Sequence, residues 1–202
     1  MAPSPSPSGP CVENFDGVTA PALPAGWTAT LVSGTAPSWV TSTTSSDSAP
    51  NNVFVNDQDG ISEKTLDSRN IVMGSGAHQI SFRNNFNTEH DPPPAEIFWD
   101  GYVLEVSVNG GAFVDVTDPT IGGTFVSGPY TGEIDGTANN PLAGRLAWSG
   151  NSGGYIDTVI NLGNAALNGQ TIKIRLRMGT DEATAAPGVH FDTLSITGAS
   201  CP

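Results

Sequence analysis

The sequence predicts an all-β chain folded as a two-sheet antiparallel β-sandwich of the jelly-roll type. Three observations lead there. With 24 Gly and 16 Pro among 202 residues, and many Ser, Thr and Asn, turn-forming residues punctuate the whole chain. No long segment carries apolar residues at the three- and four-residue spacing of an amphipathic helix. Several segments instead alternate apolar and polar residues with period two, the mark of a strand with one buried face. About nine or ten such strands separated by turns make a sandwich or jelly roll, and a β chain of this length commonly forms one domain.

The elements follow in order. Strands are expected over residues 12–15, 27–32, 53–55 and 67–72, and Gln79-Ile80-Ser81-Phe82-Arg83 alternates strictly. Tyr102-Val103-Leu104-Glu105-Val106-Ser107-Val108 alternates as well, and Asn109-Gly110 then separates it from Phe113-Val114-Asp115-Val116, a strong hairpin signal. Residues 155–162, the alternating run Thr171-Ile172-Lys173-Ile174-Arg175-Leu176-Arg177-Met178, and residues 189–197 complete the set. One helical turn is expected near residues 164–168. Residues 35–52 and 125–154 read as long loops, which in a compact domain are more often functional than idle.

Charge narrows the partners. Seven Lys and Arg stand against 20 Asp and Glu, a net charge of -13. Such a surface repels nucleic acid phosphates, so nucleic acid is excluded as a partner. The same surplus of carboxylates makes a divalent cation with oxygen ligands, calcium above all, the natural counter-charge. No apolar run is long enough for a membrane span. Residues 1–10, Met-Ala-Pro-Ser-Pro-Ser-Pro-Ser-Gly-Pro, read as a Pro/Ser linker ahead of a single domain over residues 11–202, as in a module of a larger multidomain protein. Cys11 and Cys201 flank that domain. Sandwich termini often lie close together, so the two are expected to form a disulfide, which places the chain in a secreted, oxidising setting.

Four groups of residues bear on chemistry. Asp57-Gln58-Asp59-Gly60 sets two carboxylates in a short turn where alternate residues can face one ion, although a solvated acidic turn reads the same residues equally well. Asp16 and Asp100 are weaker metal candidates. Gly150-Asn151-Ser152-Gly153-Gly154 looks like the serine box of chymotrypsin-like proteases, but His78 lacks the family's surroundings and a strand, not a helix, is expected to follow; no enzymatic activity is expected. Trp99, Tyr130, Arg145, Trp148 and Tyr155 lie in or beside the long loops and could stack on and hydrogen-bond a sugar, whereas Trp27 and Trp39 read as core.

Several blocks together resemble the bacterial cleaved-adhesin or choice-of-anchor jelly-roll domains, distant relatives of MAM domains. They are Glu13-Asn14-Phe15-Asp16-Gly17 with Leu23-Pro24-Ala25-Gly26-Trp27, Phe98-Trp99-Asp100-Gly101-Tyr102, Pro141-Leu142-Ala143-Gly144-Arg145-Leu146-Ala147-Trp148, and Met178-Gly179-Thr180-Asp181 leading to Phe191-Asp192-Thr193-Leu194. One departure is visible: Gly188-Val189-His190 stands where such domains carry Gly-Trp. The resemblance implies a non-catalytic extracellular accessory or adhesion module that often carries structural calcium, with a polysaccharide or protein surface as partner. In a jelly roll the first and last strands run side by side, so Glu13 and Asp192 become the further expected calcium ligands.

Overall fold

A computed structural model describes residues 11–202; the expected Pro/Ser linker lies outside the described residues. In chain order the strands are β1 (Cys11–Glu13), β2 (Thr28–Ser33), β3 (Val40–Ser42), β4 (Asn52–Val55), β5 (Ser62–Asp67), β6 (Ile71–Met73), β7 (His78–Asn87), β8 (His90–Asp91), β9 (Ile97–Phe98) and β10 (Gly101–Val108). They continue with β11 (Val114–Asp115), β12 (Gly123–Ser127), β13 (Gly132–Glu133), β14 (Leu146–Ala147), β15 (Ile156–Leu162), β16 (Thr171–Thr180), β17 (Gly188–Thr197) and β18 (Ala199–Ser200). Between β15 and β16 a 3₁₀ turn spans Ala165–Leu167, started by the Asn164 side chain, which accepts from the Ala166 N–H.

Two seven-stranded antiparallel sheets form the sandwich. The first runs β12-β15-β7-β17-β4-β3, with β1 also on β17; the second runs β11-β10-β16-β5-β2, with β6 on β16 and β18 on β6. On β17 the neighbour changes along its length, β4 pairing Val189–Phe191 and β1 pairing Leu194–Ile196, with a register shift between Asp192 and Ser195. The first strand and the last long strand are therefore adjacent, as the jelly-roll expectation required. A disulfide joins Cys11 to Cys201 across a sequence separation of 190 residues.

Strict alternation builds the core. On β7, His78, Ile80, Phe82, Asn84 and Phe86 point inward, and on β16 Ile172, Ile174, Leu176 and Met178 do the same. The centre is aromatic. Trp148 is wholly buried, with its ring centroid 4.9 Å from Tyr102, 4.6 Å from Tyr130 and 5.6 Å from Phe82, and its indole N–H donates to Gly128 O at 2.9 Å. A polar thread crosses this region without orphaned groups: Asn84 Nδ2 donates to Tyr102 OH, while Asn84 Oδ1 accepts from Thr158 Oγ1. Trp27 and Trp39 are core, as expected.

The differences from expectation have physical causes. The strand expected at 67–72 splits into β5, which ends at Asp67, and β6, which starts at Ile71; the inward positions of β5 are Ser62, Lys64 and Leu66, so a buried lysine hides the alternation. Both expected long loops contain strands. Residues 35–52 hold β3, and 125–154 hold the β13–β14 hairpin. That hairpin region packs Ile134, Leu142 and Ala147 on Val103, burying the outer face of β10 and so both faces of that strand.

Trp148→Ala should lower stability in urea by about 3–5 kcal/mol, the cost of emptying an aromatic core site. Leu146→Ala, two residues away and 58% exposed, should change it by no more than about 0.5 kcal/mol. Urea titration followed by circular dichroism checks both.

Candidate metal centre

Strand direction brings four carboxylates to one end of the sandwich. β4 and β7 run the same way in the first sheet and end there, followed by Asp57 and Glu89; in the second sheet β16 ends there and β10 begins there, flanked by Asp181 and Asp100. Glu89, Asp100 and Asp181 each place a carboxylate oxygen within 4.8 Å of the others. Asp57 joins them through its effect on Asp100 and Glu89.

Protein donors hold only part of this group. Asp57 Oδ2 accepts from the Glu89 N–H at 2.8 Å, and Asp100 Oδ1 accepts from the Asp181 N–H at 2.6 Å and from Asn140 Nδ2 at 3.1 Å. Asn140 also ties Trp99 O and Gly179 O, fixing the β10 start to the β16 end. On the other side Asp57 Oδ1, Asp100 Oδ2 and Glu89 Oε2 are buried without a hydrogen-bond partner. A buried acceptor left unmade costs about 1–3 kcal/mol, and more when charged.

Electrostatics follow from burial. Asp100 is pushed up to about 10, by burial first and then by the adjacent Asp57. Burial is also the leading cause that raises Asp57, Asp181 and Glu89, Glu89 to about 6 with the Asp181 charge adding to it. One cation stands near. Lys64, wholly buried, donates from Nζ to Asn56 Oδ1 at 2.7 Å and attracts Asp57. At neutral pH Asp100 keeps its proton, and one lysine does not balance the remaining carboxylates. Orphaned oxygens, hard donors and uncompensated negative charge are together what a divalent cation requires.

The fold carrying this centre is similar to known ones. No protein-family model and no curated protein matches the sequence. Among solved structures, the K1 cleaved adhesin domain of Lys-gingipain from Porphyromonas gingivalis W83 matches with a TM-score of 0.51 and 12% identity, over 94% of this chain and 98% of that one. The fold resembles that of the cleaved adhesin domain. A second structure, TmCBM61 in complex with β-1,4-galactotriose, has a TM-score of 0.45 and 12% identity over 91% of this chain and 97% of that one.

The expected metal residues distribute unevenly. Asp57 lies beside the cluster, next to Asp100, whereas Asp59 is exposed in the same turn. Glu13 and Asp192 belong to no metal-holding cluster among the described residues, and each is engaged by protein donors. Glu13 Oε1 accepts from the Phe15 N–H at 3.0 Å, and Asp192 Oδ2 accepts from the Asp47 and Ser48 N–H groups, both at 2.9 Å. Asp192 sits where β17 shifts register and serves as the anchor for the loop after β3. Glu89 and Asp181 were missed, though Asp181 directly follows, and Glu89 lies two residues beyond, the end of a long alternating strand, a signal readable once strand polarity is known.

The expected sugar-stacking residues do not meet in one site. Trp148 is core, and Tyr130 is packed against it with its hydroxyl between the Leu104 backbone and Asp115 Oδ2, so neither presents a ring face to a ligand. Arg145 is spent on ion pairs with Glu105 and with Asp115, the latter at 2.8 Å. Tyr155 is half-buried with the Arg83 guanidinium over its ring, and Trp99 is half-buried with its indole N–H on Asp91 Oδ2 at 3.3 Å. Ser152 Oγ donates to Gly154 O at 2.7 Å and accepts from the Phe86 N–H, closing a turn. Its hydrogen bonds include no histidine; His78, His90 and His190 pair with Asn168, Thr88 O and Asn52.

Asp100→Asn keeps the acceptor used by Asn140 and Asp181, supplies a permanent donor to Asp57 and removes the cost of the proton that Asp100 must take up on folding at neutral pH. In chelator it should raise unfolding stability by about 1–3 kcal/mol, read as a higher melting midpoint.

Proposed function

We propose that the chain is a non-catalytic extracellular module of a larger secreted or surface protein, stabilised by calcium and binding a polysaccharide or protein surface in an adhesion role. The observation that carries this is the set of three buried, partnerless carboxylate oxygens between the two sheets. Asp57, Glu89, Asp100 and Asp181 would hold the ion. All four offer oxygen, and among the described residues no histidine or cysteine joins the Glu89, Asp100 and Asp181 group, which favours calcium over zinc or copper. Bound there, calcium supplies the positive charge that lets the four acids stay ionised where the sheets meet.

The disulfide supports an oxidising, extracellular setting. Among the described residues no helix is long and apolar enough to cross a membrane. The adhesin name of the first fold neighbour agrees with a binding role, and the engagement of Ser152 and the histidines agrees with a module that performs no hydrolysis.

Adding calcium to the chelated protein should raise its melting midpoint, because an ion bound only by the native state stabilises it by mass action. The gain should depend on pH with a definite sign. Glu89 titrates at about 6 in the fold against the model-compound value of 4.5, so without a cation the stability from its retained proton is complete below 4.5 and lost as pH rises through 6. Protons compete with the ion. The calcium-induced rise should therefore be larger at about pH 7.5 than at about pH 5, and equal midpoints with and without chelator at both values would overturn the metal reading. A glycan array read beside an overlay on extracellular matrix proteins tests the binding role, and silence on both would overturn it.

A further inference from the structure

A shallow cavity of about 310 Å³ opens on the outer face of the first sheet, away from the carboxylate cluster. Ser42, Thr44, Phe54, Pro187 and His190 line it. Its floor is a cross-strand pair: Phe54 on β4 stands directly opposite His190 on β17, with ring centroids 4.7 Å apart and planes tilted by 34°. At that separation the two rings are stacked, each turning one face to the other, and both residues are half-buried.

One buried side chain organises floor and rim together. Asn52, wholly buried, donates from Nδ2 to Thr44 O at 2.6 Å and places Oδ1 3.1 Å from His190 Nδ1. An amide oxygen only accepts, so His190 carries its proton on Nδ1 and leaves Nε2 as an open acceptor. Burial lowers the imidazole below the ordinary histidine value, which leaves the ring uncharged at neutral pH. Ser42 Oγ accepts from the Thr44 N–H and retains its own proton to donate. The cavity thus offers an aromatic platform, hydroxyl donors and one aromatic nitrogen acceptor. None of its lining residues is charged, on a chain with 20 acidic and 7 basic side chains.

We propose that this cavity is a subsite for one pyranose residue of a neutral glycan, with the C–H face of the sugar on the free ring surface of the stacked Phe54–His190 pair and its hydroxyls on Ser42, Thr44 and His190 Nε2. The proposal deepens the binding-module reading and rests on it. A purely apolar ligand would strand the rim hydroxyls and the imidazole nitrogen, and an anionic sugar would find no cation in the wall. The volume lies at the small end of ligand cavities, which suits a single ring rather than a longer segment.

The test uses the calcium-loaded protein and three probes: methyl β-D-galactopyranoside, methyl β-D-glucopyranoside and methyl α-D-mannopyranoside. Binding is followed by saturation-transfer NMR and by the His190 ring resonances. At least one glycoside should bind with a Kd of about 1–10 mM, the range open to a single shallow ring contact. Phe54→Ala should weaken it by about tenfold or more, and Thr44→Arg, which fills the rim from an exposed position, should abolish it. Should Phe54→Ala melt early, Thr44→Arg decides alone. Binding unchanged by Thr44→Arg would put the sugar elsewhere and overturn the subsite while leaving the module reading standing. No response to any of the three would also overturn the subsite, and the glycan array and protein overlay then judge the module reading separately.

Discussion

Negative charge gathered between two sheets at one end of the sandwich is the constraint on which the rest depends. Strand polarity makes it unavoidable: β4, β7 and β16 end there and β10 begins there, each flanked by an acid. Without a cation these acids relieve their repulsion by holding protons, Asp100 up to about pH 10 and Glu89 up to about 6. The opposite end is closed differently. Cys11 opens β1 opposite Ile196, and its disulfide to Cys201 binds the far end of β17 covalently. In the loop-entropy picture so long a closed loop is worth about 5 kcal/mol. The two closures act on different terms, one on the unfolded chain and one on native electrostatics.

The chain's few cations are deployed to suit. Lys64 is buried beside the carboxylate end, while Arg145, Arg175 and Arg177 form a line of ion pairs on the outer face of the second sheet. Arg175 pairs with Asp67 at 2.6 Å and lies 3.8 Å over the Phe113 ring; Arg177 pairs with Glu63 at 2.8 Å and with Glu105 at 3.5 Å. These guanidinium groups are about a quarter exposed, so screening keeps each pair's worth modest, typically below about 1 kcal/mol. Their larger effect is on surface character. With those arginines neutralised in place, the outer faces carry little free positive charge with which to hold an anionic partner.

Legibility in the sequence followed the physics of each feature. Long alternating strands such as β7 and β16, the Asn109-Gly110 hairpin and the terminal disulfide were all visible, because period-two burial and turn chemistry are local. Short strands such as β3 and the β13–β14 pair were read as loops, since two or three residues carry no period. The carboxylate centre was half visible. Asp57 stood out in an acidic turn and Asp100 as a weaker candidate, but Glu89 and Asp181 are far apart in sequence and meet only through the register of two sheets. Aromatic side chains misled in the other direction: residue type cannot say whether Trp148 faces a ligand or Phe82, and burial of large rings decided it.

The same register links the carboxylate centre to the cavity on the first sheet. Phe54 lies on β4 just ahead of Asp57, and His190 lies on β17 just after Gly188, which pairs with Asn87 at the end of β7 near Glu89. Fixing Asp57 and Glu89 therefore fixes the ends of the two strands that flank β17, and with them the separation of the Phe54 and His190 rings. No rearrangement is needed for such coupling. Holding a pair of strands at one end restricts the motion of residues a few positions inward, and a preformed platform loses less entropy when a ligand settles on it. On the calcium reading proposed above, the acids that oppose closure of the sandwich become, with the ion among them, the part that stiffens its outer face.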